Sequence, residues 1–380
     1  MFNVIILGLT SLFTDISTEM VYPLIPFFLT ATLGASPAIL GLIEGVAEST
    51  ASLLKVVSGY ISDKFRTRKV PAITGYSSSA VGKLLLYAAN SWGIVFCARV
   101  VDRLGKGIRT APRDALIADT TDDSQRGMAF GLHRALDTTG AVVGVALAYY
   151  FVTRYAGDYS GIFLLSFVPA SIGVLLLFFA RERKSRIAGQ TKPLSLRWKV
   201  LPLKLRLFLI VAFIFTLGNS SNTFLILRAN NLKFTPADAI LLYLVYNIVY
   251  GLVSYPAGIL SDRIGRKKLL VAGYLFYGLV YLGFALVSSA SNAWILWILF
   301  GLYGIYSGFT DGVEKALISD LAPQEVRATA IGLHATILGI GLFPASLIAG
   351  ELWQQISPAA AFYFGGGAGV VAAIGLMLVL

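Results

Sequence analysis

Two segments of this chain are near copies of each other and lie 199 residues apart. The first, Gly59–Lys69, and the second, Gly258–Lys268, each begin with a Gly, carry an Asp four residues later and continue into a basic run. Each segment closes one long apolar stretch and precedes the next. A duplicated charged turn between apolar stretches indicates a membrane protein built from two related halves.

Composition indicates the same fold class. The chain is 56% hydrophobic and only 13% charged, whereas a soluble domain can bury only a limited apolar surface. A helix needs about 20 mostly apolar residues to cross a bilayer, and the apolar runs lack the alternation of membrane strands. We therefore predict an all-α integral membrane protein with twelve transmembrane helices in two pseudo-symmetric six-helix bundles. The predicted spans are 3–29, 37–62, 70–89, 91–117, 127–153, 159–180, 205–229, 236–261, 268–288, 292–319, 327–349 and 358–380.

Basic residues alternate between the loops. Of 31 Lys and Arg residues, 19 lie in alternate loops, and the opposite loops hold three, Arg154, Arg228 and Lys233. This is the positive-inside distribution, so we expect the basic loops and both termini to face the cytoplasm of an inner or plasma membrane. Because these loops are short and flank spans, the net charge of +11 does not indicate nucleic-acid binding.

The chain has few nucleophilic or metal-binding side chains. Cys97 is its single cysteine, and His133 and His334 are its two histidines. These numbers exclude an internal disulfide and a Cys/His zinc site. The sequence also lacks a nucleophile elbow and a phosphate-binding loop with the required spacing. We therefore expect no enzyme activity, no cofactor and no bound metal.

The duplication extends beyond the charged turns. Ala115–Asp119 matches Ala316–Asp320, and Gly131–His133 matches Gly332–His334, all at an offset of 201 residues. A polar and strongly basic stretch separates the halves and is typical of a linker. The predicted organisation is an N-terminal bundle at 1–180, a basic cytoplasmic linker at 181–204 and a C-terminal bundle at 205–380.

Three motifs resemble those of the major facilitator superfamily. Gly258–Lys268 resembles the signature that this superfamily carries between helices 8 and 9, and Gly59–Lys69 resembles its counterpart between helices 2 and 3, with Arg66 at a usual Gly position. Arg99–Gly107 resembles the helix-4 motif, with Asp102 in place of the usual Gln. The resemblance covers essentially the whole chain and implies a secondary transporter that works by alternating access, of a drug-efflux-like branch.

The two charged turns are expected to form cytoplasmic gates. Each Asp can meet the positive N-terminus of a neighbouring helix, and the basic residues after it can pair with an Asp that ends span 4 or span 10. Such clusters would hold one state closed and break when the bundles rock, although they can also be plain membrane anchors. The gate residues are Gly59, Asp63, Lys64, Asp119 and Arg126 in the first half, and Gly258, Asp262, Arg263, Gly265, Arg266, Asp320 and Arg327 in the second.

Ionisable residues inside the spans are concentrated in the first half, and span 4 is the extreme case. It carries five positive and two negative side chains at helical spacing. Because each charge at the bilayer centre costs roughly 2.5–3.5 kcal/mol or more, we expect this stripe to face the protein interior and to form a mostly self-neutralising network with spans 1, 2 and 5. The alternative is that the charges only rigidify the bundle. Lys83 is expected to extend to the membrane surface.

Carboxylates in the first-half spans are the proton-coupling candidates. An apolar environment favours the protonated carboxyl and a nearby Arg favours the ionised one, so each acid depends on its neighbours. The candidates are Asp15, Glu19, Glu44, Glu48 and Asp137. Asp15 and Glu19 come first, because span 1 offers them no local base.

Substrate-binding candidates fall into two chemical groups. The cations Arg99, Arg103, Lys106 and Arg109 of span 4 suit an anionic substrate. Polar and aromatic groups suit an amphiphilic ligand, and these are Tyr22 in span 1 and Asn219, Asn222, Tyr243, Asn247 and Asp311 in the second half. Packing by small polar and interfacial aromatic groups is the alternative for the second set. Both histidines are expected to be structural.

These observations lead to one expectation about function and several alternatives. We expect a monomeric, proton-coupled transporter of the lipid bilayer that exports a small amphiphilic organic compound or drug. A carrier of organic anions or siderophores is the main alternative, because of the cationic stripe in span 4. A divalent-metal exporter, a channel and a transport-dead sensor are further alternatives.

Overall fold

A computed structural model of the chain describes residues 2–65, 67–122, 125–155, 157–182, 201–288, 293–322 and 327–380. Within these helices the side chains of 63, 126 and 327–329 are outside the description as well. We label the helices α1 to α12 after the spans they correspond to. Their bounds are Phe2–Val21, Pro37–Phe65, Lys69–Tyr87, Trp92–Asp119, Arg126–Arg154, Tyr159–Leu177, Leu203–Gly218 with Thr223–Asn231, Pro236–Ile264, Arg266–Leu286, Ile295–Leu321, Arg327–Gln355 and Pro358–Val379.

The predicted all-α fold class is confirmed, and the ends of most helices lie within a few residues of the predicted spans. In the part of the chain that the structure describes, eight helices are long and apolar enough to cross a membrane by length and composition. The charge-rich α4 is not among them. Its charges must therefore be compensated by neighbouring helices rather than by an apolar surface of its own.

Local sequence explains where several helices begin and end. The side chains of Asp158, Thr235 and Ser357 accept hydrogen bonds from the first backbone N–H groups of α6, α8 and α12. Gly265 ends α8 with a φ of 97°, a left-handed conformation that favours glycine, so α9 can start at the next residue.

Two helices carry irregular segments. After Val21, α1 continues through a 3-10 turn at Tyr22–Leu24 and, further on, a π segment at Phe28–Thr32. Pro23 and Pro26 lie before the π segment and have no backbone N–H to donate. The span-7 helix is broken between Gly218 and Thr223, as the run of Asn and Ser residues predicts, because these side chains compete for backbone hydrogen bonds.

The chain divides into two compact units. Unit 1 comprises the described residues of Met1–Gly34 and Val46–Pro193, and unit 2 those of Ala35–Gly45 and Leu194–Leu380. The first turns of α2 thus belong to unit 2, which the sequence did not indicate. The predicted linker lies mostly outside the described residues, so the proposed domain boundaries stay a prediction.

Candidate functional site

The charged stripe of α4 is buried in unit 1. Arg99, Asp102, Arg103 and Arg109 are each at most 5% exposed. Asp102 and Arg109 contact α3, where two glycines allow the helices to touch, since a Cβ at Gly75 would lie only 2.5 Å from the carbonyl oxygen of residue 105. Small residues at a helix crossing permit this backbone contact.

Asp102 is the centre of an ion network between α3 and α4. Lys83 Nζ lies 3.2 Å from Asp102 Oδ1, and an Arg99 guanidinium nitrogen lies 3.7 Å from Oδ2. The expectation that Lys83 reaches the membrane surface is wrong, because the side chain is 1% exposed and turns inward to this carboxylate. The acid that replaces the usual Gln of the helix-4 motif therefore has two buried cations around it.

A second pair joins α4 to α2. Arg103 lies 2.8 Å from Glu48 Oε1, and the ring of Tyr22 lies 5.6 Å from the Arg99 guanidinium and 5.9 Å from that of Arg103. These distances are within the range of cation–π attraction. The predicted substrate candidates Arg99, Arg103 and Tyr22 therefore lie together, but both arginines also face carboxylates.

The other two cationic candidates of α4 differ in exposure. Arg109 is buried, lies 4.3 Å from the Tyr76 ring centre and donates to Ser79 Oγ at 2.9 Å. Lys106 is exposed. Lys106 is thus the more accessible of the two for an anionic group.

Carboxylates of α1 and α5 meet near the other end of the stripe. The Asp15 and Asp137 carboxyl groups lie side by side, and Arg134 lies 3.5 Å from Asp137. Glu19 is half-buried against α5, where a Cβ at Gly144 would lie 2.9 Å from the Glu19 Cβ. A carboxylate has only acceptors, so a hydrogen bond between two carboxyl groups requires one proton on the pair.

The break in α7 is bridged by hydrogen bonds. Tyr277 donates its hydroxyl to the Gly218 carbonyl at 2.8 Å, and the Ser221 backbone N–H donates to Ser346 Oγ at 3.2 Å. Such partners satisfy the backbone groups that a broken membrane helix would leave unpaired. The break therefore holds its polar side chains in defined positions.

Two asparagines of this break are held by tyrosine hydroxyls. Asn222 donates to the Tyr246 hydroxyl at 3.4 Å and accepts from Tyr303 at 2.8 Å, while Asn219 donates to Tyr306 at 3.3 Å. The rings pack against each other with centroid distances of 4.1–5.5 Å. We call this group the tyrosine–asparagine cluster, and its members are Asn219, Asn222, Tyr243, Tyr246, Tyr277, Tyr281, Tyr303 and Tyr306.

The remaining second-half candidates lie at the edge of this cluster. Asn247 donates to the carbonyl of Tyr243 at 2.9 Å, one helical turn back. Asp311 is exposed, accepts from the Tyr250 hydroxyl at 2.8 Å and lies 3.2 Å from Lys315. Sequence reasoning left Tyr277 and Tyr281 out of the candidates, although their spacing on α9 places them on one helix face.

Glu44 is separated from the other acidic candidates. It is fully buried in unit 2, and Ser221 donates to it at 3.4 Å. Glu48, one turn along α2, belongs to unit 1 and pairs with Arg103. The sequence placed the two acids on one face of one helix, but it did not show that the helix contributes to both units.

Sequence reasoning counted one buried acid of unit 2 among the ionisable residues of the spans but left it out of the site candidates. Glu314 of α10 accepts from the Tyr274 hydroxyl at 2.9 Å and lies 3.4 Å from His334 Nε2. The signal was present, because Glu314 is an ionisable residue inside a span and lies 20 residues before His334.

Each half ties a basic residue to the Asp that ends its fourth helix. Arg68 Nε lies 3.4 Å from Asp119 in unit 1. Arg266 contacts Asp320, lies 3.3 Å from Asp262 and donates to the Ala316 carbonyl at 2.8 Å in unit 2. Several gate candidates lie outside the described side chains, and these are Asp63, Arg126 and Arg327.

The other gate candidates have varied surroundings. A Cβ at Gly59 would lie 3.3 Å from the Ala111 Cβ of α4, whereas one at Gly258 would meet open space. Lys64 and Arg263 are exposed. Among the described residues, no group of three or more His, Cys, Asp or Glu side chains is placed to hold a metal ion.

The amino-acid sequence matches the model of the Major Facilitator Superfamily over residues 7–228 and again over 207–380. The chain belongs to this superfamily. It is 40% identical over 385 residues to "Uncharacterized MFS-type transporter MJ1317" of Methanocaldococcus jannaschii, a match that covers 99% of this chain and 94% of that protein. A match to "Multidrug resistance protein MdtH" of Aeromonas hydrophila is 30% identical over 183 residues and covers 47% and 45% of the two chains.

Solved structures share the fold. The nucleoside transporter NupG superposes with a TM-score of 0.82 at 15% identity, with 100% of this chain and 99% of that chain covered. At this identity the likeness shows the fold alone. The family match and the relatives make the chain a multi-pass membrane transporter of the major facilitator type that carries a small molecule.

Proposed function

We propose that this major facilitator transporter exports a small, amphiphilic, partly aromatic organic compound and couples that export to protons. The observation that carries the proposal is the tyrosine–asparagine cluster of unit 2. It combines ring faces with amide and hydroxyl groups, and it contains none of the charged candidates. Such a surface suits a ligand with an apolar body and a few polar atoms.

Several cluster members are partly accessible. Asn219, Asn222 and Tyr246 are half-buried, while Tyr303 and Tyr306 lie behind them with exposures of 3% and 4%. A ligand can exchange hydrogen bonds with the outer amides while the inner rings keep them in place. This arrangement orients the polar groups before the ligand arrives, which reduces the entropy cost of binding.

The carboxyl pair of unit 1 supports proton coupling. Asp15 and Asp137 lie side by side, and a hydrogen bond between the two carboxyl groups requires one proton. Loss of that proton places two negative charges side by side, with Arg134 3.5 Å from Asp137. Proton release would therefore separate α1 from α5, and a change of this kind can be linked to alternating access.

Export rather than uptake is proposed from relatives. The partial match to "Multidrug resistance protein MdtH" names resistance, which export of toxic compounds provides. The positive-inside distribution supports an orientation with both termini in the cytoplasm of the cell membrane. The two gate clusters at Asp119 and Asp320 would then lie on the cytoplasmic side and open for substrate entry.

Transport in proteoliposomes under an imposed pH gradient tests this proposal. Fluorescent lipophilic cations, neutral aromatic compounds and aromatic carboxylates are the three probe classes. We expect a cation or neutral aromatic to be transported by the wild type, and Asn222→Ala to weaken its binding about tenfold, the factor that corresponds to about 1.4 kcal/mol. Tyr255→Phe is the control, because Tyr255 lies on α8, the helix that carries Tyr243 and Tyr246 of the cluster, but is 78% exposed.

Coupling is tested separately from substrate binding. Asp137→Asn is expected to retain ligand binding, measured by thermal shift, and to lose transport driven by the pH gradient. Glu351→Gln on α11, an exposed acid, is the control. Wild-type transport that does not respond to the pH gradient would contradict proton coupling, and transport unaffected by Asn222→Ala would contradict the substrate site.

An organic anion is the second candidate substrate. Around the α4 stripe, Lys83 and Arg99 face Asp102 and Arg103 faces Glu48, and two further cations follow on α4, the buried Arg109 and the exposed Lys106. This excess of positive charge favours an anionic ligand. In the same assay, transport of the aromatic carboxylates alone, abolished by Lys106→Gln, would replace the amphiphile with an anion as the substrate.

A further inference from the structure

Glu314 and His334 form a buried pair in unit 2 that the proposed function does not use. Glu314 is 8% exposed and His334 is 3% exposed. The two carboxylate oxygens have separate neighbours, because Tyr274 donates to Oε1 at 2.9 Å while His334 Nε2 lies 3.4 Å from Oε2. Tyr274 therefore orients the carboxylate so that its second oxygen faces the imidazole.

His334 Nε2 is a buried polar atom with no hydrogen-bond partner among the described residues. The contact with Glu314 is an ion-pair distance rather than a directed hydrogen bond. Buried polar atoms nearly always have a partner, so an unsatisfied ring nitrogen beside a carboxylate calls for an explanation. A proton on this nitrogen provides one, since it would turn the contact into a charge-assisted interaction.

The surroundings of the pair are aromatic and poor in other charges. Phe208 of α7 stacks on the His334 ring with centroids 6.2 Å apart, and Phe215 stacks on Tyr274 at 4.0 Å. The other ionisable groups beside the pair are Tyr274 from α9 and Tyr306 from α10. Glu314 itself lies on α10 and His334 on α11. From α7 the described contacts are apolar. A lone carboxylate is costly in such a place unless a cation or a proton accompanies it.

The equivalent position of the first half has the opposite charge. The offset of 201 residues relates Glu314 to Arg113 and His334 to His133. Arg113 lies 2.8 Å from Asp114 and donates to Ser11 at 3.0 Å. A permanently charged guanidinium thus occupies the place of the glutamate, and a second cation on the neighbouring imidazole would meet repulsion there instead of attraction.

We propose that Glu314 and His334 form a proton-binding site of the second bundle. One proton binds to His334 Nε2, and the product is an imidazolium–carboxylate pair that joins α10 to α11, with Tyr274 of α9 as the orienting donor. The net charge of the pair changes from −1 to zero in this step, and no other group is consumed. A use of this proton in the transport cycle rests on the proton coupling proposed above.

Histidine NMR on the full-length protein tests the site without any substrate. The chain has only two histidines, so selective labelling of the imidazole gives two side-chain signals, which His133→Gln assigns. We expect the His334 signal to change to that of the imidazolium as the pH is lowered. In Glu314→Gln the imidazolium signal should be lost at the same pH.

Two further variants keep the test decisive. Glu314→Asp retains the buried charge needed for folding but withdraws it from Nε2, so a smaller loss of the protonated form is expected. Arg113→Gln changes the matched position of the first half and should leave the His334 signal unchanged. A His334 signal that stays neutral over the whole range in the wild type, or that titrates identically in Glu314→Gln, would overturn the proposal.

The outcome is separable from that of the transport assay. If His334 titrates as expected while a pH gradient fails to drive transport, the proton-binding site stands and the proposed coupling fails. If a gradient drives transport while His334 never gains a proton, the site proposed here is wrong and coupling belongs to other acids.

Discussion

The two halves of this transporter treat buried charge differently. In unit 1, Lys83 and Arg99 face the carboxylate of Asp102, and Arg103 faces Glu48. In unit 2, Arg228 is equally buried, at 4% exposure, but donates to backbone carbonyls that end α9, those of Phe284, Ala285 and Val287, and to Asn231. The two halves thus accommodate buried cations in two ways, by carboxylates in unit 1 and by carbonyl oxygens in unit 2.

The difference has a functional meaning. Carboxylate-paired cations form a network in which one proton alters several charges, whereas an arginine held by carbonyls is insensitive to protons. Unit 1 therefore has the chemistry of an ion-responsive bundle. Unit 2 presents neutral tyrosine and asparagine groups, and its buried ionisable residues described above are Glu44, Arg228 and the Glu314–His334 pair.

The largest expected effect comes from removing a carboxylate of the unit 1 ion network. Asp102→Asn removes the acid that faces two buried cations, and we expect it to destabilise the protein by about 3–5 kcal/mol. Unfolding in mixed detergent micelles, followed by circular dichroism, measures the change. Asp122→Asn is the control, since Asp122 is exposed just after the same helix. A variant as stable as the wild type would show that the ion network does not hold α3 to α4.

Removal of the arginine that backbone carbonyls hold in unit 2 is expected to destabilise the protein less. Arg228→Met keeps much of the side-chain volume and removes the donors to the α9 carbonyls, so we expect a loss of about 2–3 kcal/mol. Lys204→Met, an exposed cation at the start of α7, is the control. The same unfolding measurement applies at two pH values, and a strongly pH-dependent difference would contradict the idea that this arginine is held by groups that do not titrate.

Variants of the gate clusters are expected to change the stability of the protein least. Arg266→Gln and Arg68→Gln each remove a partly exposed pair, and such pairs contribute at most about 1 kcal/mol. We expect near wild-type unfolding midpoints but altered initial rates of transport, with the larger change for Arg266, which contacts two acids and a carbonyl. Unchanged rates in both variants would indicate that these residues act as membrane anchors only.

The sequence alone was sufficient for the fold class and the duplicated organisation. Apolar stretches of membrane-spanning length, the repeated turns at Asp63 and Asp262 and the Asn/Ser run at 219–222 are local signals, and they predicted helices, repeats and the break in α7. The candidate site was predicted in part, because the inward direction of the α4 stripe follows from the cost of charge in lipid.

Only the tertiary structure determined which partners those residues have. Lys83 has the same long side chain whether it extends to the surface or turns to Asp102, and the inward choice depends on the close contact that Gly75 and Gly105 allow. Likewise, Glu44 and Glu48 lie one turn apart on α2 yet belong to different units. His334 is expected from the sequence to be structural, and only the packing of α10 against α11 places Glu314 beside it. Partners across helices depend on how the helices pack, which local periodicity does not encode.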